Sequence, residues 1–367
     1  MLYAFLLYLP TTIFGQMPIY VLAALYAIYR KRFFTMTPLL ALIIVIVALS
    51  IFNFVFSINS INSEYSGSFL AMWPYAILMI PTYIIASTLQ KKDLYFLIVF
   101  VLFEVGIGIL EYIMGRTTFF HTGLGSGVLD VDSELLYNKR VLGISTNSSG
   151  FSSKILLALM CLCWLKDYFA KKWFIFSLVL LIIGLFITFN RTSILGACFF
   201  LMLYWIIQIP KRKRIFFLMF ACLVILCTIL YFRDVVFIQF FRSDTFDWTI
   251  VLAHRDVIFA KYLSFIKENL WWGNGSSKYW IPYLGAQAHA HNSFLMTLAA
   301  NGVIISCFYF ILLFVNRSIK IFPYIFTFIA ISLTQYSIFW GISWNDIFLF
   351  YFLLNVGHNP FVCGKVK

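Results

Sequence analysis

Apolar runs of roughly 18 to 25 residues, each long enough to cross a hydrocarbon layer of about 30 Å, recur along the whole chain. Charged residues are only 11% of its 367 positions and hydrophobic ones 62%, whereas a soluble globular chain carries about 25% charged. The expectation is an all-α polytopic protein forming a single integral membrane domain over residues 1–367. Its spans fall near 5–29, 36–57, 68–89, 94–113, 148–165, 173–190, 192–209, 215–232, 293–315, 321–338 and 345–357, about eleven within a range of ten to twelve. Met1 to Tyr29 lacks a basic start and a small-residue cleavage site, so it reads as the first span, with Pro10, Gly15 and Pro18 allowing a kink or an extra half-span.

The net charge of +13 would suggest nucleic acid in a soluble chain. Here its distribution along the loops carries the meaning, and no nucleic-acid partner is expected. Arg30 to Arg32, Lys91, Lys92, Lys166, Lys171, Lys172, Lys211 to Arg214, Arg317, Lys320, Lys365 and Lys367 all fall on one side of the span pattern. That side has 16 basic residues against the two acids Asp93 and Asp167. The positive-inside rule assigns it to the cytoplasm. The opposite, outer side then carries two long loops, 114–147 and 233–292. None of the seven cysteines lies in them, so no disulfide framework is implied. No internal repeat or soluble domain is evident.

Chemistry-bearing residues gather on the outer side. Asp247 to Asn292 is the longest polar interval. Within 248–271, Ile250, Val251, Val257, Ile258, Tyr262, Phe265 and Ile266 recur at helical spacing, which suits an amphipathic helix lying on the membrane surface. Arg255 falls in that region, either aimed at a membrane-side cavity or solvated on the polar face. Gly273 and Gly275 are expected to end the helix. His289 and His291 point the same way only in an extended segment, and Asn292 or Ser293 would cap the next helix. The N-terminus of that helix offers amide donors to a diphosphate. Two histidines alone do not complete a zinc site, so neither metal nor cofactor is expected.

Asn190-Arg191-Thr192-Ser193 joins two apolar runs at or below the outer interface. A guanidinium there either snorkels to the headgroups or faces an anion, and the neighbouring donors favour the anion. Arg140, at the edge of the fifth span, is either an interfacial anchor or a phosphate contact. Glu104 and Glu111 lie at membrane depth, where Glu104 suits half of a buried polar pair and Glu111 an interfacial position. Gly123, Gly125 and Gly127 lack a P-loop continuation, and Asp130, Asp132 and Glu134 lack EF-hand spacing. Trp340 and Trp344 read as belt anchors.

Three places together resemble the O-antigen polymerase and O-antigen ligase superfamily: the Asn190 to Ser193 turn, Arg255 heading a stretch that ends in Gly273-Asn274-Gly275, and His289-Ala290-His291-Asn292-Ser293-Phe294-Leu295 followed by Gly302. The resemblance covers roughly residues 140 to 310. The chain has Asn-Arg-Thr where the family often has Ser-Arg-Gly. The resemblance implies a C-type glycosyltransferase fold in the bacterial inner membrane, with its active site facing the periplasm under a catalytic cover formed by the 233–292 loop. It implies metal-independent, inverting transfer between undecaprenyl-diphosphate-linked glycans, with Arg191 and Arg255 on the diphosphate and His291, or else His289, as base. Arg140, Asn190, Asn292, Gly273 and Gly275 would line the substrate, and a chain-length regulator is a candidate partner beside the bilayer. A polymerase, extending a lipid-linked repeat, is the favoured reading. A ligase onto lipid A-core is the alternative, and a lipid-linked oligosaccharide flippase a second, against which the lack of paired halves weighs.

Overall fold

The structure is a computed structural model describing residues 1–14, 18–30, 36–57, 61, 73–120, 128–129, 136–210, 212–214, 216, 231, 255–283, 286–316 and 318–355. The expected span 215–232, most of the Gly-rich and acidic centre of the first loop, and residues 233–254 of the second loop lie outside the described residues or nearly so. The helices are α1 (Leu2–Tyr8), α2 (Pro18–Arg30), α3 (Pro38–Ser57), α4 (Met79–Thr88), α5 (Lys91–Ile113), α6 (Ser148–Trp164), α7 (Lys171–Ile187) and α8 (Arg191–Gln208). There follow α9 (Arg255–Glu268), strands β1 (Ile281–Tyr283) and β2 (Ala286–Ala288), then α10 (Ser293–Leu313), α11 (Phe322–Ser332) and α12 (Trp344–Leu354). Four of the described helices, α3, α5, α8 and α10, are long and apolar enough to cross a membrane, and several shorter apolar helices accompany them. The chain is a mostly helical, multi-pass membrane protein. The first expected span is broken: α1 runs into a single 3-10 turn at Leu9–Thr11, where Pro10 sits, and α2 begins at Pro18. Proline lacks the amide a continuous helix needs and fits the first turn of a new one.

Two compact units divide the chain, Met1–Ala23 with Gln90–His254, and Ala24–Leu89 with Arg255–Lys367. In the first, α5 packs on α1, α6 and α7, and α6 packs on α8. Lys91 donates to the Tyr168 hydroxyl, and Lys166 Nζ to Gln208 Oε1 at 3.3 Å. One end of this unit therefore collects the lysines expected on the cytoplasmic side. Its interior holds an ion pair that satisfies a costly membrane-depth acid. Glu104 is fully buried, lies 2.6 Å from Lys154 Nζ, and accepts further bonds from the Tyr8 hydroxyl, Ser145 Oγ and the Ile144 amide. A buried charge survives only when paired and hydrogen-bonded in this way. Glu111 is fully buried too, and accepts from the amides of Phe119 and Gly143 at 3.0 and 2.9 Å. The two carboxylates thus pin the 143–145 segment that leads from Arg140 into α6.

In the second unit α4 packs on α12, α3 on α10, and α9 on α10. The α10 helix is broken at Gly302, whose φ of 66° and ψ of −178° are non-helical. The turn that follows α9 plugs the break. Asn274 N donates to Ala299 O at 2.8 Å, Ser276 N to Ala300 O at 2.8 Å, and Val303 N to Leu270 O at 2.8 Å. Asn53, buried in α3, holds the same turn through Trp272 O at 2.8 Å and Ser276 Oγ at 3.0 Å. Irregular backbone at membrane depth is tolerated only where protein satisfies its polar groups.

Candidate active site

In the second unit, α9 ends at Glu268, a full turn before the glycines expected to end it. Its stripe of Ile258, Tyr262 and Ile266 is buried against Tyr279, Ile281, Ala290 and Met296, so it faces protein rather than a membrane surface. The Tyr262 hydroxyl donates to Tyr279 O across this core. Arg255, at the first position of α9, donates to Thr334 O at 2.6 Å, just past the C-terminus of α11, where unpaired carbonyls favour a cation. Gly273 and Gly275 both have φ of +60°. A Cβ on Gly273 would meet the Gly302 amide nitrogen at 2.5 Å, and one on Gly275 would meet Ser57 Cβ at 2.9 Å. Close packing therefore accounts for both glycines.

The β1–β2 hairpin, paired Ile281 to Ala288 through Tyr283 to Ala286, delivers the chain to the histidines. Their rings lie 4.0 Å apart, and His291 N donates to His289 Nδ1 at 3.1 Å. That bond leaves His289 neutral with its proton on Nε2. His291 has φ of 49°, a left-handed conformation that histidine enters more readily than most side chains. Asn292 then caps α10: Oδ1 accepts from Phe294 N at 2.9 Å and Leu295 N at 3.0 Å, while Nδ2 donates to Leu333 O at 3.0 Å. Burial, with the positive charges of Arg255 and Lys278, lowers His289 to about 4. Burial, His289 and Arg255 lower His291 to about 3. Both are neutral at ordinary pH.

An aromatic wall stands beside them. Trp340 lies 6.2 Å from His289 and 4.5 Å from Tyr336, and Trp280 lies 5.6 Å from His289. Trp344 is buried and packs on Phe348. Both expected belt tryptophans have protein partners, Trp340 being half-buried and Trp344 buried. Asp346 shapes this wall: it is buried and accepts from the amides of Phe339, Trp340 and Gly341 and from Ser343 Oγ. Lys278, which no motif in the sequence marks, places Nζ 3.9 Å from the Trp340 ring centroid.

The first unit presents a second set of cationic and donor groups. Arg191 is the first residue of α8, and Asn190 Oδ1 caps that helix by accepting from Ser193 N at 3.1 Å. Asn190 Nδ2 also donates to Ser149 Oγ at 2.9 Å, in the first turn of α6, and Ser193 Oγ bonds Ser152 Oγ at 2.9 Å. Asn147 caps α6 through Gly150 N at 2.6 Å. Two capped helix N-termini therefore lie side by side, each carrying about half a positive charge, with Arg191 at the first position of the second. Phe189 takes φ of 47° just before Asn190, as His291 does just before Asn292. Arg140 is partly buried at the lead-in to the same segment. The structure thus groups Arg255, His289, His291 and Asn292 in one unit, and Arg140, Asn190 and Arg191 in the other.

Residues 176–310, less than half of the chain, match the family model described as O-antigen ligase. That stretch is similar to the O-antigen polymerase and ligase superfamily. The matched stretch contains Asn190, Arg191, Arg255, Gly273, Gly275, Lys278, His289, His291 and Asn292, and excludes Arg140. Members of this family are glycosyltransferase-like enzymes of O-antigen and polysaccharide assembly. No curated protein and no solved structure matches the chain.

Proposed function

We propose that the protein is a surface-polysaccharide polymerase of the bacterial inner membrane, acting on its periplasmic side with no metal or cofactor. It would transfer a growing glycan from undecaprenyl diphosphate to the non-reducing-end sugar of a second lipid-linked repeat. The observation that carries the reading is the neutral histidine pair beside Arg255, inside the superfamily segment. His289 Nδ1 is already occupied by the His291 amide. His291 is therefore the better base, and His289 orients it.

In the proposed step the acceptor hydroxyl attacks the anomeric carbon as His291 takes its proton. The bond from that carbon to the phosphate oxygen breaks, and the diphosphate leaves with the electron pair. Direct displacement inverts the anomeric centre. Arg255 would stabilise the negative charge growing on the leaving group. Arg191 is assigned a diphosphate contact on the sequence resemblance alone, supported by the donors around it in its own unit. Burial and the neighbouring positive charge make His291 by itself a weak base, and a bound dianion would raise its proton affinity toward the working range. Asn190 and Asn292 would act through the helix starts they cap, and Gly273 and Gly275 through the turn they allow. Arg140 would contact the donor at the edge of α6, and a chain-length regulator would meet the outer loops.

The description of the matching family favours a second reading, a ligase that delivers glycan to lipid A-core. Deletion in the native host separates the two on a gel of extracted glycan. Core carrying a single repeat identifies a polymerase, and long lipid-linked chains with none on the core identify a ligase. Repeat units trapped on the cytoplasmic face would overturn both in favour of a transporter.

A further inference from the structure

Lys278 follows the turn that plugs α10 and precedes the hairpin that carries the histidines. Its Nζ lies 3.9 Å from the Trp340 ring centroid and 5.6 Å from those of Tyr336 and Tyr75. Among the described residues it has no ion pair and no hydrogen bond. The acid that acts on it is Asp346, whose two oxygens are already taken by three amides and a hydroxyl. The other titratable groups around it are neutral: the phenols of Tyr75 and Tyr336, and His289, which feels the positive charges of both Lys278 and Arg255 and has His291 beside it. His289 shares two of the three aromatic faces, lying 6.2 Å from Trp340 and 5.9 Å from Tyr336. Burial draws the lysine down to about 7, with Asp346 opposing. Aromatic faces offset part of the cost of a desolvated ammonium, and an anion would offset the rest.

We propose that Lys278 is a substrate-contacting cation of the transfer site, binding an anionic oxygen beside the histidine pair. The oxygen belongs either to the donor's diphosphate or to a carboxylate on the sugar repeat, since both present the same acceptor to an ammonium. This inference rests on the proposed glycosyl transfer. It adds a residue that neither the motifs nor the family resemblance pointed to, and it gives binding a pH dependence. The ammonium is present below about pH 7 and lost above it, so affinity for the anion falls from pH 6 to pH 9.

The test uses the full-length protein in nanodiscs and follows quenching of tryptophan fluorescence. One arm titrates a short polyprenyl diphosphate, the other a uronic-acid oligosaccharide, against wild type, Lys278→Met and Lys278→Arg, with thermal unfolding as the folding control. In one arm Lys278→Met is expected to bind about tenfold more weakly, the loss of one charge-assisted hydrogen bond, and that arm names the source of the anion. Lys278→Arg should keep affinity and remove its decline between pH 6 and pH 9, a response that a packing role would not give. Equal binding by wild type and Lys278→Met in both arms, or an unchanged pH profile in Lys278→Arg, overturns the inference alone. Wild type binding neither probe overturns the transfer reading and this inference with it.

Discussion

Replacing Gly302 by alanine should unseat the turn on which the histidine hairpin depends. Gly302 has φ of 66° and ψ of −178°, a region almost reserved for glycine, which costs other residues about 1–3 kcal/mol. An alanine Cβ there would lie 2.2 Å from Trp271 O, 2.3 Å from Trp271 C and 2.4 Å from Trp272 N. These are backbone atoms, so no side-chain rotation relieves the overlap. The turn must withdraw, taking with it the bonds from Asn274, Ser276 and Val303 described above, each worth about 1 kcal/mol. The combined loss is about 4–6 kcal/mol. Unfolding in detergent, followed by heat or denaturant, measures it, with glycan transfer assayed alongside. Gly106 in α5 is the control, because a Cβ there meets nothing within 4 Å. Gly106→Ala should be neutral or stabilising by up to about 1 kcal/mol. A Gly302→Ala protein as stable as Gly106→Ala would refute the plugged-break reasoning.

Lys154→Ala leaves Glu104 buried without its cation and should cost about 3–5 kcal/mol, whereas the double change Glu104→Gln with Lys154→Met should cost less. Equal losses in the two proteins would contradict the ion-pair account. His289 and His291, at about 4 and about 3, lie below the ordinary value near 6.5, so the unfolded chain takes up their protons first. Stability is therefore complete above about pH 6.5 and is lost as pH falls toward 4. Replacing both by asparagine, which tolerates the left-handed conformation of residue 291, should flatten the unfolding midpoint between pH 7 and pH 4. An unchanged slope would refute the depressed values. Asn190→Ala removes the α8 cap and its link to Ser149, and should cost about 1 kcal/mol, read as a lower unfolding midpoint.

The membrane class, nearly every described helix and the Asn292 cap were legible in the sequence, because span length and capping chemistry are local properties, whereas Asn190 read only as a donor beside Arg191 and is in fact the cap of α8. The break near Pro10 and Pro18 was legible for the same reason. The direction in which each apolar face turns was not. The stripe of α9 suits lipid and protein equally, and only its contacts with Tyr279 and Ala290 decide the matter. Trp340 and Trp344 stand where belt tryptophans stand, yet they contact Lys278, Tyr336 and Phe348. Lys154 was hidden inside an apolar run, since its partner Glu104 lies 50 residues away in sequence. A membrane-depth acid could have prompted a search for an equally isolated lysine. Lys278 gave no signal of its own, because a lone lysine in a polar loop is ordinary until three aromatic rings are seen around it.

The central claim is that His291 takes the acceptor's proton, and the most direct measurement compares His291→Ala with wild type at matched membrane expression in the deletion host. The readout is the ladder of surface glycan and the rate of transfer from lipid-linked donor in isolated membranes. General-base removal should slow transfer by about 10²–10⁴-fold and abolish the ladder, while the protein still binds the lipid diphosphate. His291→Ala restoring the full ladder at the wild-type rate would contradict the account.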